Sequence, residues 1–364
     1  MKTSKNHLTH FLFIATWFFL LGTQICCNLP KVKKNLVPQP FQTRVQIIEE
    51  QTIPIQNEII NEVTEEQISE SIMELSGAQP VLINGQETNI NSRYSYAMFL
   101  DYPEAAVVPY LTEQVSRWVP EEKIEIDPYT YTDAEQSYTW ENIIVQIPGN
   151  TTPEEKILLT AHFDSTVVSG GNALQYAPGA DDNASGTAVL LEAICIFSEH
   201  SFEKTIEIVF FSGEEEGAYG SRAYLADHPD NNIKAVINVD MIGYDSDNDA
   251  CMEIHAGNNL ESQNIASALQ QTNIQYNLGL QTDILTTLAT DRSDHASFWS
   301  KNIPAVLIME NFLDTTTSGI CTTADPNPNY HRIEDTIDQI NISYVTKITQ
   351  LVLITTANLA IPVE

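Results

Sequence analysis

AHFDS (Ala161–Ser165), PGADDNASG (Pro178–Gly186), FSGEEEGAYGS (Phe211–Ser221) and NVDMIGYD (Asn238–Asp245) all fall within the stretch from Lys156 to Asp245. Each follows an apolar, β-branched run that reads as a buried strand or its approach. Lys156–Ala161, Thr205–Phe211 and Ala235–Val239 are the strands, and Ala184–Phe197 and Arg222–Ala226 read as helices between them. Alternation at this spacing predicts a largely parallel sheet with helices on both faces. Ligands in such sheets gather beyond the carboxyl ends of the strands, and His162, Glu214, Glu215 and Asp240 stand there.

Working outward, Asn142–Pro148, Cys251–His255 and Pro304–Met309 have strand character. Asn61–Leu75, Ala105–Trp118, Leu260–Gln271 and Ile340–Leu359 read as helices. The expected fold class is α/β: a single domain with a mixed, mostly parallel central sheet sandwiched by helices. No internal repeat and no second compact domain is evident. Lys2 and Lys5 precede the apolar run Phe11–Gly22, which is short for a membrane span and has the layout of a signal peptide. The expected organisation is therefore a signal peptide over 1–27, a Pro- and Gln-containing linker or pro-segment over 28–57, and one domain over 58–364. A secreted or periplasmic location follows, with a lipid anchor at Cys26 or Cys27 the less favoured variant. Removal of the leader leaves Cys195, Cys251 and Cys321, an odd count. Cys195 reads as core, and Cys251 with Cys321 is the pairing to consider.

With 43% hydrophobic residues, the chain of 364 residues can build a large core. Its 17 basic residues against 49 acidic ones argue against nucleic acid as a partner, which needs clustered Lys and Arg.

Singly, the motifs have ordinary explanations. His162 could be a hydrogen-bonded histidine at a strand end, and Asp181 and Asp182 could cap the helix that follows them. Glu214, Glu215 and Glu216 could form a solvated loop, and Asp335, in YHRIEDT (Tyr330–Thr336), is most simply an N-cap. Their joint occurrence at strand ends and loop mouths is what such explanations fail to produce. The two imidazoles of His162 and His331 and the three carboxylates of Asp181, Glu215 and Asp240 suit two zinc ions, which take nitrogen and oxygen ligands. Asp164 is placed to hold the second ring nitrogen of His162. Adjacent glutamates can divide labour, one binding metal while its neighbour stays free as a general base.

Together with Ser293-Asp294-His295-Ala296-Ser297, these motifs resemble those of the secreted bacterial leucyl aminopeptidases. Those enzymes belong to the co-catalytic di-zinc exopeptidases, which also include glutamate carboxypeptidases and glutaminyl cyclases. The resemblance runs from about Asn61 to the C-terminus and makes 58–364 a di-zinc aminopeptidase catalytic domain. It implies that Asp181 bridges two zincs, with Glu215 and His331 completing one site and His162 and Asp240 the other. It further implies that Glu214 is the general base, that Asp164 supports His162, and that the Asp181–Asp182 peptide is cis. Met241, Leu307, Met309 and Tyr330 fall on or near the apolar pocket for the substrate's first side chain. The implied enzyme is monomeric, needs two Zn²⁺ per chain and removes N-terminal residues, chiefly Leu and other apolar ones, from peptides with a free N-terminus. A glutaminyl cyclase-like transferase and a non-catalytic binding ectodomain are the alternatives. The sequence departs from these relatives just before the Ser293 motif, where Thr290-Asp291-Arg292 replaces a loop with Cys and Tyr.

Overall fold

The computed structural model describes residues 54–97, 106–133, 136–229, 232–313, 320–321 and 323–363. The expected signal peptide, Cys26, Cys27 and most of the 28–57 segment lie outside them. In chain order the elements are α1 (Ile55–Glu62), α2 (Glu65–Leu75), the hairpin β1 (Val81–Ile83) and β2 (Gln86–Thr88), and α3 (Val107–Val115). Then come β3 (Ile124–Thr132), β4 (Ser137–Ile147), β5 (Thr152–His162), α4 (Gly186–Phe197), β6 (Lys204–Phe211), α5 (Tyr219–Asp227) and β7 (Asn232–Val239). β8 (Cys251–His255), α6 (Leu260–Tyr276), β9 (Gln281–Leu285), α7 (His295–Trp299), β10 (Ala305–Glu310) and α8 (Ile342–Ala360) complete the domain.

The main sheet has eight strands in the order β3-β4-β6-β5-β7-β10-β8-β9. β5 pairs in parallel with β6 and β7, as do β7 with β10 and β8 with β9, while β3-β4, β4-β6 and β8-β10 are antiparallel. The sheet is thus mixed, as expected. Strand side chains alternate between the two faces, so apolar residues at every position must be covered on both. Ile157, Leu159, Ile206, Ile208, Ala235 and Ile237 join the large core beneath α1, α2, α3, α4, α6 and α8. Leu158, Val209, Phe211 and Val236 face the other way and pack on Tyr224 and Leu225 of α5 and Phe298 of α7.

Several elements differ from expectation. The helix expected over Asn61–Leu75 is split into α1 and α2, because Thr64 stops one and caps the next. Its hydroxyl accepts from Gln67 N, and the Gln67 side chain accepts from Thr64 N. The strand β3 was not anticipated, although Ile124–Thr132 alternates apolar and polar residues around Pro128, a pattern typical of an edge strand. Cys251 and Cys321 form a disulfide, and Cys195 is buried in α4.

Every residue of α4 is buried, because the helix is covered by the sheet on one side and by α2, α3 and α8 on the other. Since α4 carries the turn that enters the site, its packing sets that turn's position. Leu190→Ala should cost about 2–5 kcal/mol, whereas Leu260→Ala, 66% exposed at the start of α6, should change the denaturation midpoint little. Urea melts of the two variants would check this.

Candidate metal centre

β5, β6 and β7 lie side by side and run in the same direction, so their carboxyl ends deliver His162, the Glu214–Glu215 pair and Asp240 to one rim. His162 Nδ1 donates to the Asp164 backbone oxygen at 3.1 Å, which turns Nε2 toward Asp240 Oδ1 at 3.1 Å and Asp182 Oδ1 at 3.3 Å. The Asp164 carboxylate lies 3.5 Å from the same Nδ1. It also accepts from the backbone N–H groups of Glu214 and Glu215 at 3.3 and 3.2 Å, so it fixes the next motif as well as the histidine.

On the opposite side, His331 Nε2 approaches Glu215 Oε2 at 2.8 Å and Asp182 Oδ2 at 3.2 Å. Asp182 therefore presents one oxygen to each imidazole. The expectation that Asp181 bridges is corrected. Asp181 is turned away, and its carboxylate is occupied by Gly243 N at 2.7 Å and Asn327 Nδ2 at 2.8 Å. The cis peptide shifts with it and lies at Asp182–Asn183, not Asp181–Asp182.

The cause is a set of hydrogen bonds along the turn Ala180–Ser185. Asp335, expected as an N-cap, is buried and accepts from the N–H groups of both Asp181 and Asp182, at 2.9 and 3.1 Å. Asn183 donates to Val239 O at 2.9 Å and accepts from Gly186 N at 2.9 Å, tying the turn to the end of β7 and the start of α4. The sequence signal for Asp335 was its spacing from His331. The ambiguity between two adjacent aspartates had no local solution.

The electrostatics follow from crowding acids in a buried place. Burial raises Glu214 well above its ordinary pKa and Glu215 to about 7, and neighbouring carboxylates add to both shifts. Burial alone would lower His162 and His331, yet the surrounding carboxylates outweigh it. They hold His162 well above its usual value and His331 at about 10. Burial would raise Asp182, but its bonds to the two imidazoles bring it below the ordinary carboxylate range. Glu215 Oε1 is buried with no hydrogen-bond partner among the described residues. The two groupings His162/Asp182/Asp240 and Asp182/Glu215/His331 each bring three ligand atoms within 4.8 Å of one another. A donor set of this kind, sharing one carboxylate and leaving one buried oxygen unsatisfied, fits divalent zinc.

Beside the cage, Met241, Leu307 and Met309 are buried together and pack with Phe312, a residue the sequence reading had not singled out. Phe312 meets Tyr330 edge-on with ring centroids 5.5 Å apart, and Tyr330 stacks on His331 at 3.7 Å. Phe312 lies just past β10, at the strand end where Met309 points to the same cluster.

A sequence profile described as Peptidase family M28 matches residues 142–356. The chain belongs to that family. A probable aminopeptidase of Saccharomyces cerevisiae is 26% identical over 320 residues, 84% of this chain and 79% of the yeast protein. A probable zinc metalloprotease of Pyrenophora tritici-repentis is 37% identical over 108 residues, 29% of this chain and only 22% of that protein. Among solved structures, the LapA aminopeptidase of Legionella pneumophila superposes with a TM-score of 0.62 at 19% identity, over 85% of this chain and 75% of that one. At such identity the likeness establishes the M28 fold. Glutaminyl cyclase of Porphyromonas gingivalis shares it, with a TM-score of 0.61 at 18% identity over 81% of this chain and 98% of that one.

The Thr290–Arg292 loop, where the sequence departs from the leucyl aminopeptidases, is held by two buried histidines. Thr290 N donates to His255 Nδ1 at 3.1 Å and Thr290 O accepts from His295 Nε2 at 2.9 Å. Burial lowers both imidazoles to about 4. Unfolded histidine titrates near pH ~6.5, so the stability tied to their neutral forms is complete above that pH and is lost as pH falls toward 4. His295→Gln should remove one such proton uptake. Its melting temperature should fall less steeply than that of the wild type between pH 6.5 and about 4. Equal slopes would contradict the assignment.

Proposed function

We propose that this M28 protein is an exported, monomeric zinc aminopeptidase that carries two zinc ions and releases N-terminal residues, chiefly Leu and other apolar ones, from peptides. The observation that carries the reading is the Asp182 carboxylate, with one oxygen toward His162 and the other toward His331. His162 and Asp240 would hold one ion and Glu215 and His331 the other, with Asp182 shared. Export is supported by the apolar run Phe11–Gly22 behind two lysines. Among the described residues no helix is long and apolar enough to cross a membrane.

Zinc bound in this cage would supply acidified water and polarise the scissile carbonyl. The protein's own groups do the rest. Glu214, half-buried with His162 and Asp240 as electrostatic neighbours, takes a proton from the attacking water and passes it to the departing amine. Asp164 keeps the His162 ring oriented and holds the Glu214–Glu215 backbone in place. Phe312, backed by the buried Met241, Leu307 and Met309, offers an apolar surface that suits an aliphatic first side chain, and Tyr330 borders it. Burying a single methylene there is worth about 0.8 kcal/mol, enough to rank Leu above Ala.

The test is a panel of aminoacyl-4-nitroanilides, with and without a chelator, run beside a peptide that begins with Gln. Release of nitroaniline from the Leu substrate that stops on chelation is the expected result. Cyclisation of the Gln peptide without nitroaniline release would favour a transferase instead. Glu214→Gln should keep its zinc yet lose on the order of 10²- to 10⁴-fold in kcat. Turnover near that of the wild type would remove Glu214 as the base.

A further inference from the structure

The segment Asn91–Ser95 precedes the part of the chain that matches the M28 profile, yet several of its hydrogen bonds go to the loops that lead from His162 and into the Asp182 turn. Asn91 O accepts from Ala177 N at 2.9 Å, and Ser92 Oγ donates to Ala173 O at 2.6 Å. Arg93, wholly buried, donates through Nε to Phe163 O at 2.7 Å. Through Nη1 it donates to Leu75 O and Pro178 O at 2.7 and 2.6 Å, and through Nη2 to Gly179 O at 2.8 Å. Ser165 N returns a bond to Arg93 O at 3.3 Å, and Ser95 Oγ donates to Asp164 Oδ2 at 3.0 Å. One end of this network is the run just after His162, and the other is the pair of residues that leads into Ala180, Asp181 and Asp182.

We infer that Asn91–Ser95 is a strap that positions the zinc cage, with Arg93 setting the distance between the His162 loop and the Asp182 turn and Ser95 orienting Asp164. The inference rests on the zinc reading above. A guanidinium has five N–H donors in a rigid fork, so it can hold carbonyls from separate segments at fixed angles, which a flexible ammonium cannot. Space enforces the same arrangement, since a Cβ on Gly179 would stand 2.9 Å from Arg93 Nη2 and 2.2 Å from Asp182 O. Arg93 is also a fixed positive charge, with Asp335, Asp182, Asp164 and Glu215 as its electrostatic neighbours. It offsets part of the acidic excess without competing for a ligand oxygen, because it donates to the backbone carbonyls of Phe163, Leu75, Pro178 and Gly179.

The test measures, on the full chain, zinc affinity by competition with a chromophoric chelator, kcat and KM on Leu-4-nitroanilide, and the melting temperature of the zinc-free protein. Arg93→Lys should weaken zinc binding by about 10- to 100-fold, the usual effect of losing a group that orients metal ligands. It should also lower kcat and leave KM nearly unchanged. Ser95→Ala, which removes one hydroxyl, should lose affinity by about 10-fold, the low end of that range, with a melting temperature close to the wild type. Should Arg93→Lys fail to fold, Ser95→Ala decides alone. Lower melting temperatures with wild-type zinc affinity and kcat in the folded variants would reduce the strap to a structural tie and overturn the inference. A wild-type chain that binds no zinc would instead overturn the functional reading beneath it.

Discussion

The architecture depends on a charge problem. Asp182, Asp240, Glu215 and Glu214 are gathered around two imidazoles at a rim where water is largely excluded. Carboxylates brought this close in a poorly solvated place repel one another and resist ionisation. Glu214, Glu215 and both imidazoles all shift toward their protonated forms, the direction expected of a site short of positive charge. Divalent ions would relieve that shortage, and the surrounding groups keep the acids from relaxing apart. Asp335 holds two consecutive N–H groups of the Asp182 turn, and Asp164 holds the Glu214–Glu215 turn. Asn183 ties the first of these turns to the end of β7.

The sheet makes such crowding geometrically simple. Three neighbouring parallel strands, β6, β5 and β7, end on one side, and each delivers an acidic or imidazole group there. The remaining contributors come from far along the chain. His331 lies in a loop beyond β10 with a positive φ of 56°, a conformation uncommon for a residue with a side chain. Asp335 follows it closely. The core on both faces of the sheet holds the strand ends rigidly enough that side chains from these separate segments can meet.

Much of this was readable in the residues. β5, β6, β7 and α4 were legible because buried parallel strands and a fully buried helix give long apolar runs bounded by turn residues. Four of the five expected cage residues, His162, Glu215, Asp240 and His331, meet in the structure as anticipated. Asp181 and Asp182 could not be told apart locally, since adjacent residues in a turn point in different directions. Which of them faces the imidazoles depends on Asp335, Gly243 and Asn327, all remote in sequence. Arg93 was invisible for a related reason. Its partners are backbone carbonyls, and these leave no trace in side-chain chemistry. β3 was missed although its alternation was present, and β9, only Gln281–Leu285, is too short to show a clear period.

The most direct measurement is a crystal structure of the zinc-loaded protein with anomalous data collected above and below the zinc edge. The account predicts two peaks, one between His162 and Asp240 and the other between Glu215 and His331, with the Asp182 carboxylate reaching both and Asp181 bound to neither. A single peak, or a bridge made by Asp181, would contradict it.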